Sequence, residues 1–310
     1  MEEITQVQPL KTPVLFLVFN RTDTTKQVFD VIKKAKPPRL YIGSDGPREQ
    51  KEGEAEKVQA VREYVLSSID WDCQVKTLFR EKNLGCKYAV SSAITWFYEH
   101  EDIGIILEDD CLPSLSFFKF CEELLIHYKD DKRIWHIGGC NFQDGIKRGD
   151  ADYYFSAINH IWGWASWADR WKFYDKELEN IQGSSFINNY WSGKAFKYWK
   201  KIFWKMKNKK IDTWDYQWTF SMWKNNGIAI LPNVNMISNI GFGIDSRSRL
   251  KKPDKNINRK RYEIDLINIK HPLILERNIQ ADIYTIKEAF FISNNIISKI
   301  KNKILRFFGS

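Results

Sequence analysis

Short apolar runs alternate with amphipathic segments through the first 140 residues of the chain. The apolar runs have the length of buried strands, and the segments between them have the spacing of surface helices. We expect strands at residues 14–19, 40–42, 74–79 and 103–107, with helices at 22–34, 54–66 and 87–98 between them. Strands that alternate with helices in this way form a parallel sheet with helices on both faces. The pattern predicts an α/β fold with a Rossmann-like, mostly parallel sheet.

The alternation ends near residue 140, and the second half of the chain is more aromatic. It contains an aromatic run interrupted by glycine at residues 162–167 and a basic segment with aromatic residues at helical spacing at 194–210. A short strand is expected at 228–232, and a loop that contains glycine at 239–249. We therefore expect one large domain in two halves, 1–140 and 141–255, followed by a tail at 256–310.

Composition narrows the possible partners. With 43% hydrophobic residues, the 310-residue chain can bury a full core. The net charge of +9 leaves nucleic acid, an anionic membrane and phosphorylated substrates as candidate partners. Thirteen Trp residues fit either an aromatic core or stacking on sugar rings.

The cysteines and the N-terminus indicate a cytoplasmic protein. The five cysteines form no C-x-x-C pair and have irregular spacings, so we expect free thiols and no zinc site. The acidic N-terminus does not have the character of a signal peptide, and no apolar run approaches the ~18 residues of a membrane span.

Three consecutive carboxylates, Glu108, Asp109 and Asp110, follow the fourth predicted strand. They repel one another unless something positive lies beside them. The crevice beyond the carboxyl ends of parallel strands is where α/β sheets bind ligands, and a hard divalent cation held by carboxylates and substrate phosphates fits there. Acidic triplets are also common in solvated loops, but the buried strand before this one favours a metal and a nucleoside diphosphate.

Polar residues follow the other three strands as well. Arg21 can bind a phosphate or pack on a base, although it can also be an ordinary surface arginine. Asp45 can accept hydrogen bonds from a ribose or a base, or it can make an Asp-Gly turn. Arg80 precedes a helix start whose backbone N–H groups can face an anion.

The second half offers a candidate base and a candidate lid. Asp215 lies among aromatic residues, where burial would raise its pKa and suit it to general base catalysis. A helix N-cap is the alternative role, and Asp212 is the competing base. Residues 241–247 are typical of a flexible loop, in which Ser246 and Arg247 supply hydrogen-bond donors.

The motifs at residues 19–21, 44–46, 83–85, 106–110 and 162–164 together resemble those of nucleotide-sugar glycosyltransferases with the GT-A fold. The branch that contains N-acetylglucosaminyltransferase I and its bacterial relatives is the most similar. The resemblance extends over residues 13–245, and its most specific part is residues 106–142.

The resemblance implies roles for individual residues. Asp110 would bind Mn²⁺ (or Mg²⁺), Glu108 and Asp109 would face the nucleotide and donor sugar, and Asp215 would be the catalytic base. Matching positions expected at the donor site are Arg21, Asp45, Arg80, Asn83, Trp162 and Gly163. Ser246 and Arg247 stand near the family's Ser-His phosphate loop, without its His. The chain has Trp-Asp-Tyr-Gln-Trp where the family has Trp-Asp-Asp-Trp.

The implied function is metal-dependent, inverting glycosyl transfer in bacterial surface polysaccharide synthesis. The donor would be a UDP-sugar, with UDP-N-acetylglucosamine the best-known case, and the acceptor a hydroxyl of a glycan or a lipid-linked oligosaccharide. One rival is a sugar-nucleotide nucleotidyltransferase, which would want a glycine-rich loop after the first strand. The other is a non-catalytic membrane or nucleic-acid binding module using residues 194–210, which leaves the acidic triplet unexplained.

The C-terminal tail carries a second membrane hypothesis. Residues 283–310 contain five basic residues and one acid, and their isoleucines fall roughly on one helical face. This pattern predicts an amphipathic helix, either at the surface of an anionic membrane or docked on the protein's own core. We expect no nucleic-acid partner.

Overall fold

The computed structural model of the protein describes residues 9–179, 181–241, 258–265 and 269–290. It contains ten strands: β1 (Val14–Val18), β2 (Arg39–Ser44), β3 (Gln74–Phe79), β4 (Ile103–Glu108), β5 (Cys111–Pro113), β6 (Ile134–Gly138), β7 (Tyr153–Ser156), β8 (Trp164–Trp167), β9 (Ile228–Pro232) and β10 (Ile237–Asn239). Eight of them form one sheet in the order β3-β2-β1-β4-β8-β6-β9-β7, and β5 pairs with β10 in a separate antiparallel ribbon.

The first four strands are parallel, as the sequence predicts. β1 pairs with β2 and β4, and β2 pairs with β3, all in parallel register. Every residue of β1 is buried, and alternate side chains enter two different cores: Phe16 packs in one and Leu15 in the other. Burial on both faces explains why this strand is a continuous apolar run.

The aromatic run at 162–167 forms β8, which lies between β4 and β6 and is antiparallel to both. β9 is parallel to β6, and β7 is antiparallel to β9. The sheet is therefore mostly parallel, and its second half is mixed. The sequence predicts only that this aromatic run is not a plain helix, and its place in the sheet is set by pairing with distant strands.

Helices cover both faces of the sheet, which confirms the predicted α/β fold. They are α1 (Thr22–Ala35), α2 (Glu54–Ser67), α3 (Gly85–Tyr98), α4 (Ser116–His127), α5 (Ala168–Trp171), α6 (Gly193–Lys207), α7 (Asp215–Lys224) and α8 (Ile279–Glu288), with a 3₁₀ segment at Ile181–Asn189. Residues of α1, α2 and α4 share one core, and residues of α3, α6 and α7 share the other. The second core contains most of the buried Trp side chains, so much of the aromatic surplus is structural.

Part of the predicted tail packs on the domain. The side chain of Asn278 caps α8 by accepting a hydrogen bond from the Ala281 N–H at 2.9 Å. Asp282 is fully buried and accepts hydrogen bonds from Ser156 Oγ at 2.5 Å and from the Ala157 N–H at 3.1 Å. Residues 291–310 lie outside the described residues. Within the described part of the chain, no helix is both long and apolar enough to cross a membrane.

Candidate active site

The carboxyl ends of β1, β2 and β4 meet at one edge of the sheet, where they form the floor of a cleft of about 860 Å³. Parallel pairing makes this unavoidable, because parallel neighbours end on the same side. Seven of the residues singled out from the sequence line it: Arg21, Asp45, Arg80, Glu108, Asp109, Asp110 and Trp162. The fold therefore brings together side chains that are far apart in the chain.

Arg21 is the positive partner of the acidic triplet. Its Nη2 nitrogen lies 2.5 Å from Asp109 Oδ1 and 2.8 Å from Asp110 Oδ2. Its Nη1 nitrogen donates to the Gly241 carbonyl at 3.2 Å. Asp109 also accepts a hydrogen bond from the Phe19 N–H at 3.2 Å. One arginine thus neutralises only part of a charge of three carboxylates.

The remaining repulsion appears in the acidities of the triplet. Burial, followed by the charges of Asp110, Asp109 and Asp215, raises the pKa of Glu108 to about 8. Burial also raises the pKa of Asp109 to about 6, against the opposing effect of Arg21. A raised pKa means that the ionised carboxylate is disfavoured, and a nearby cation would stabilise that ionised form. This edge of the sheet therefore favours the binding of a cation.

The donor set at Asp110 suits a hard divalent ion that is completed by a substrate. Among residues 9–179, 181–241, 258–265 and 269–290, no group of three or more His, Cys, Asp or Glu side chains is arranged to hold a metal by itself. Mg²⁺ and Mn²⁺ are commonly held by one or two carboxylates together with substrate phosphates and water. Asp110 is 18% exposed at the cleft, so its carboxylate is accessible for such a site.

Gly241 closes tightly over the arginine–carboxylate pair. A Cβ at this position would lie 2.1 Å from Asp110 Oδ2 and 2.6 Å from Arg21 Nη1. Only glycine fits without moving these groups. Asn239, two residues earlier, places its Nδ2 3.5 Å from Asp110 Oδ1. The segment after β10 therefore forms one wall of the site. Ser246 and Arg247, further along this segment, lie outside the described residues.

Asp45 caps the start of α3 with its carboxylate. Oδ1 accepts hydrogen bonds from the N–H groups of Gly46 and Leu84, both at 2.9 Å, and Oδ2 accepts one from Gly85 at 3.2 Å. Asn83 donates to the Gly46 carbonyl at 2.7 Å. These contacts join the loops after β2 and β3 into one wall of the cleft. Arg80 stands on the same wall and donates to Ser92 Oγ at 2.7 Å.

A buried glutamate that the sequence analysis missed organises the neighbouring wall. Glu54, at the start of α2, is 1% exposed and accepts hydrogen bonds from Asn20 Nδ2 and the Arg48 N–H, both at 2.8 Å. The Arg48 guanidinium also pairs with it, and this pairing is the main reason that the pKa of Glu54 falls to about 2. In sequence Glu54 resembles an ordinary solvated acid in a first helical turn, so no local signal identifies it. Lys51 and Lys57 line the cleft beside this cluster.

Asp215 begins α7 and is buried behind the cleft lining, so it is not itself among the residues that line the cleft. Thr213 and Trp214 line the cleft immediately before it, and Thr213 Oγ1 donates to its carboxylate. Burial raises the pKa of Asp215, and its charge in turn contributes to the raised pKa of Glu108. The competing Asp212 lies next to the start of α3, where a Cβ on Gly85 would be 3.5 Å from its Oδ2.

Trp162 and Gly163 form the entrance to β8. Trp162 packs edge-to-face on Phe142, with ring centroids 5.5 Å apart, and also lines the cleft. Gly163 has φ +65°, and a Cβ there would lie 2.6 Å from Ile237 Cδ1. Glycine is required at this turn for both its conformation and its space. The turn packs Gly163 closely against Ile237 of β10.

Comparisons with known proteins give distant likenesses only. No family model matches the chain, and no curated protein matches it. A mannosyltransferase from Pyrobaculum calidifontis in complex with GDP-Man and Mn²⁺ is 14% identical with a TM-score of 0.35, over 54% of this chain and 47% of its own. HddC from Yersinia pseudotuberculosis complexed with GMP-PN is 12% identical with a TM-score of 0.36, over 56% of this chain and 86% of its own. UTP-bound UGPase from Acinetobacter baumannii is 9% identical with a TM-score of 0.36, over 72% of this chain and 86% of its own. The present chain spans about half the length of the mannosyltransferase.

Proposed function

We propose that this protein is a metal-dependent, inverting glycosyltransferase that moves a sugar from a nucleoside diphosphate donor to an acceptor hydroxyl. The observation that carries the proposal is an under-neutralised acidic triplet at the cleft with a separate buried carboxylate, Asp215, close enough for its charge to raise the pKa of Glu108. The triplet provides the place for a cation and a diphosphate. Asp215 provides a base that is not occupied by Arg21.

Asp110 would hold the cation, and Glu108 and Asp109 would face the nucleotide and donor sugar. When bound, Mn²⁺ or Mg²⁺ neutralises charge on the leaving diphosphate, an effect typically worth several kcal/mol. Lys57 and Arg80 add positive charge to the same cleft, where phosphate oxygens would lie.

Asp215 would take the proton from the acceptor hydroxyl as that oxygen attacks the anomeric carbon. Its raised pKa makes it a stronger base than an exposed aspartate. The attack comes from the face opposite the leaving group. The scheme has one base and no protein nucleophile, so the configuration of the transferred sugar is inverted.

The remaining predicted residues have supporting roles in this proposal. Asp45, Asn83 and Arg21 shape and contact the nucleotide pocket, and Trp162 with Gly163 shapes the sugar pocket. Ser246 and Arg247 would close over the diphosphate. Residues 1–140 then bind the donor, residues 141–255 supply the base and the acceptor site, and residues 256–310 form the tail. We propose a UDP-sugar such as UDP-N-acetylglucosamine as donor, and a glycan or lipid-linked acceptor at the cytoplasmic side of the membrane in bacterial surface polysaccharide synthesis.

A sugar-nucleotide nucleotidyltransferase is the second candidate. Lys51, Lys57 and Arg80 give the cleft a positive wall that suits a triphosphate as well as a diphosphate. Against this stands the short connection after β1, since α1 begins at Thr22 and leaves no loop to wrap a triphosphate. The two activities differ in products: a nucleotidyltransferase releases pyrophosphate from a nucleoside triphosphate and a sugar phosphate.

Calorimetric binding of UDP, GDP and dTDP, each with and without Mn²⁺, tests the proposal. We expect one nucleotide to bind tightly, with binding lost in EDTA and in Asp110→Ala. Asp23→Ala is the matched control, because this acid is exposed in the first turn of α1. If none of the three nucleotides binds to folded protein, the proposal is wrong. Release of pyrophosphate from a nucleoside triphosphate in the presence of a sugar phosphate would instead support the sugar-nucleotide nucleotidyltransferase.

A further inference from the structure

The outward face of α6 is a dense basic surface. Eight lysines lie between residues 194 and 210, and no acid occurs in residues 193–211. Lys197, Lys200 and Lys201 are exposed and lie at spacings of three and four residues, which places them on one face of the helix. Within the part of the chain that the structure describes, none of these three lysines forms an ion pair with an acid, although Lys200 Nζ lies 6.0 Å from the centre of the Phe196 ring.

One large aromatic side chain stands on the same face. Trp204 is 50% exposed, and Lys210 Nζ lies 4.5 Å from the centre of its ring. Its positions relative to Lys197, Lys200 and Lys201 are seven, four and three residues along the helix. Trp is an amphipathic side chain that favours the boundary between water and lipid, where lysines meet anionic headgroups.

The opposite face of α6 is not available for binding. Trp199 and Phe203 are buried and pack on Trp223 of α7 at centroid distances of 4.8 and 5.8 Å. The helix is therefore fixed in the protein with its lysines outward. Attachment through α6 would be electrostatic, supported by one Trp, and would not require the helix to leave its place.

The tail of the chain begins beside this surface and cannot neutralise it. Phe290, the last residue before 291–310, packs on Tyr198 and Trp199 of α6 at 5.9 and 5.3 Å. Residues 291–310 contain Lys299, Lys301, Lys303 and Arg306 and no acid. Like charges repel, so a basic segment is a poor occupant for a basic face. A partner with a large anionic surface fits this face better.

We propose that the outer face of α6 binds an anionic lipid surface. Nucleic acid is the less suitable partner, because single-strand binders line a groove with several aromatic rings. Here one exposed Trp stands on a convex helix among lysines. α6 packs on α7, and α7 begins at Asp215, so a membrane at this face would lie on the side of the molecule that supplies the proposed base. The proposal concerns binding alone and stands whether or not the proposed reaction is correct.

Co-sedimentation with phosphatidylcholine vesicles, with and without phosphatidylglycerol, tests the proposal at low salt. The test variant is Lys197→Gln/Lys200→Gln/Lys201→Gln in the full chain. The matched control is Lys26→Gln/Lys34→Gln/Lys129→Gln, which removes the same charge from exposed positions of α1 and the segment after α4, on the opposite face of the sheet. Circular dichroism verifies that both variants are folded.

We expect the wild type to bind only the vesicles that contain phosphatidylglycerol, and to release them as salt is raised. At about fivefold per lysine near an anionic surface, the α6 variant should bind roughly 100-fold more weakly. The control should change less than about threefold. Trp204→Ala in the wild-type background should also weaken binding to these vesicles, without changing how that binding depends on salt.

Four results would overturn the proposal. The first three are failure of the wild type to bind anionic vesicles, equal losses in the α6 variant and its control, and unchanged binding by the α6 variant. A fourth is binding to oligonucleotides that is tighter than binding to vesicles and is lost in the α6 variant, since this would assign the face to nucleic acid. Asp215→Asn should bind vesicles like the wild type, which separates this test from that of the reaction.

Discussion

Arg21 and Asp109 are 88 residues apart in the chain and form an ion pair of 2.5 Å across the ends of β1 and β4. Asp109 is almost fully buried, so its negative charge depends on this partner. The pair leaves Asp110 at the edge of the cleft, where a second cation can approach. The structure of the site therefore follows from one arginine shared between two neighbouring carboxylates.

Arg21→Ala should destabilise the fold by about 2–3 kcal/mol, because it leaves Asp109 buried without its countercharge. Urea denaturation gives the free energy of unfolding. The double variant Arg21→Ala/Asp109→Asn should recover most of the loss. Arg133→Ala is the control, since Arg133 is 63% exposed and its pair with Asp131 should contribute at most about 1 kcal/mol. A loss for Arg21→Ala no greater than that of the control would contradict the dependence.

Asp45→Ala should lower the free energy of unfolding by about 1–2 kcal/mol, because two backbone N–H groups at the start of α3 and the Gly46 N–H lose their acceptor. Asp45→Asn should cost less, since one oxygen remains. Nucleotide affinity, measured separately by calorimetry, reports whether Asp45 also contacts the ligand. Asp72→Ala, at an exposed position before β3, is the control and should be near neutral. Unchanged stability in Asp45→Ala would show that the cap is dispensable.

Asp215→Asn should lower the rate of sugar transfer by about 10²–10⁴-fold, the usual contribution of a general base, and leave nucleotide affinity nearly unchanged. Because burial raises the pKa of Asp215, the rate of the wild type should fall on the acid side at a higher pH than for an ordinary aspartate. Asp212→Asn is the matched comparison. Steady-state kinetics over pH, with calorimetry, separates the two, and an active Asp215→Asn would sink the assignment.

His136 should make the fold sensitive to acid. Its Nε2–H donates to the His160 carbonyl at 3.0 Å, and its Nδ1 accepts from Trp218 Nε1 at 3.3 Å, so both nitrogens are used by the neutral ring. Burial lowers its pKa from 6.5 to about 3. Between pH 6.5 and 3, this imidazole is protonated in the unfolded chain and neutral in the folded chain. Its contribution to the free energy of unfolding is therefore fully present above pH 6.5 and is lost as the pH falls toward 3.

The expected loss is about 1.4 kcal/mol per pH unit for this group. Urea denaturation at pH 7 and pH 5 should show a smaller decrease for His136→Gln than for the wild type, by up to about 2 kcal/mol. We expect the variant to be less stable than the wild type at both pH values, so the change in the free energy of unfolding between the two pH values is the quantity to compare. Equal decreases would mean that His136 takes a proton without cost. His160, whose pKa is also lowered to about 3 by burial, should add a similar slope.

Local patterns predicted most of the first half of the fold. The strand at residues 74–79 has the bounds of β3, and the other three strands and three helices agree with the structure within a few residues. Periodicity records which faces are buried, and β1 and β4 are buried on both. The acidic triplet could be placed at the end of β4 because parallel strands always present their carboxyl ends to one edge.

Local sequence patterns did not predict the contacts between segments that are far apart in the chain. β8 lies between β4 and β6 and is antiparallel to both, and the sequence of its four residues does not predict which strands it pairs with. The sequence predicts either a ribose contact or an Asp-Gly turn for Asp45, but its hydrogen bonds to the Leu84 and Gly85 N–H groups join it to a loop that no local pattern indicates. Glu54 has the sequence context of a solvated acid, and it is buried with Asn20 and Arg48.

The sequence by itself determined the class of fold and the edge of the sheet at which the acidic triplet lies. These depend on the spacing of apolar residues, which is local. Only the tertiary structure decided that Arg21 bridges Asp109 and Asp110, that the charge of Asp215 reaches Glu108, and that Lys197, Lys200 and Lys201 of α6 are exposed. Each of these arrangements depends on how distant segments pack together. The distances between such segments set the free energy of the contacts, and a local sequence pattern does not specify those distances.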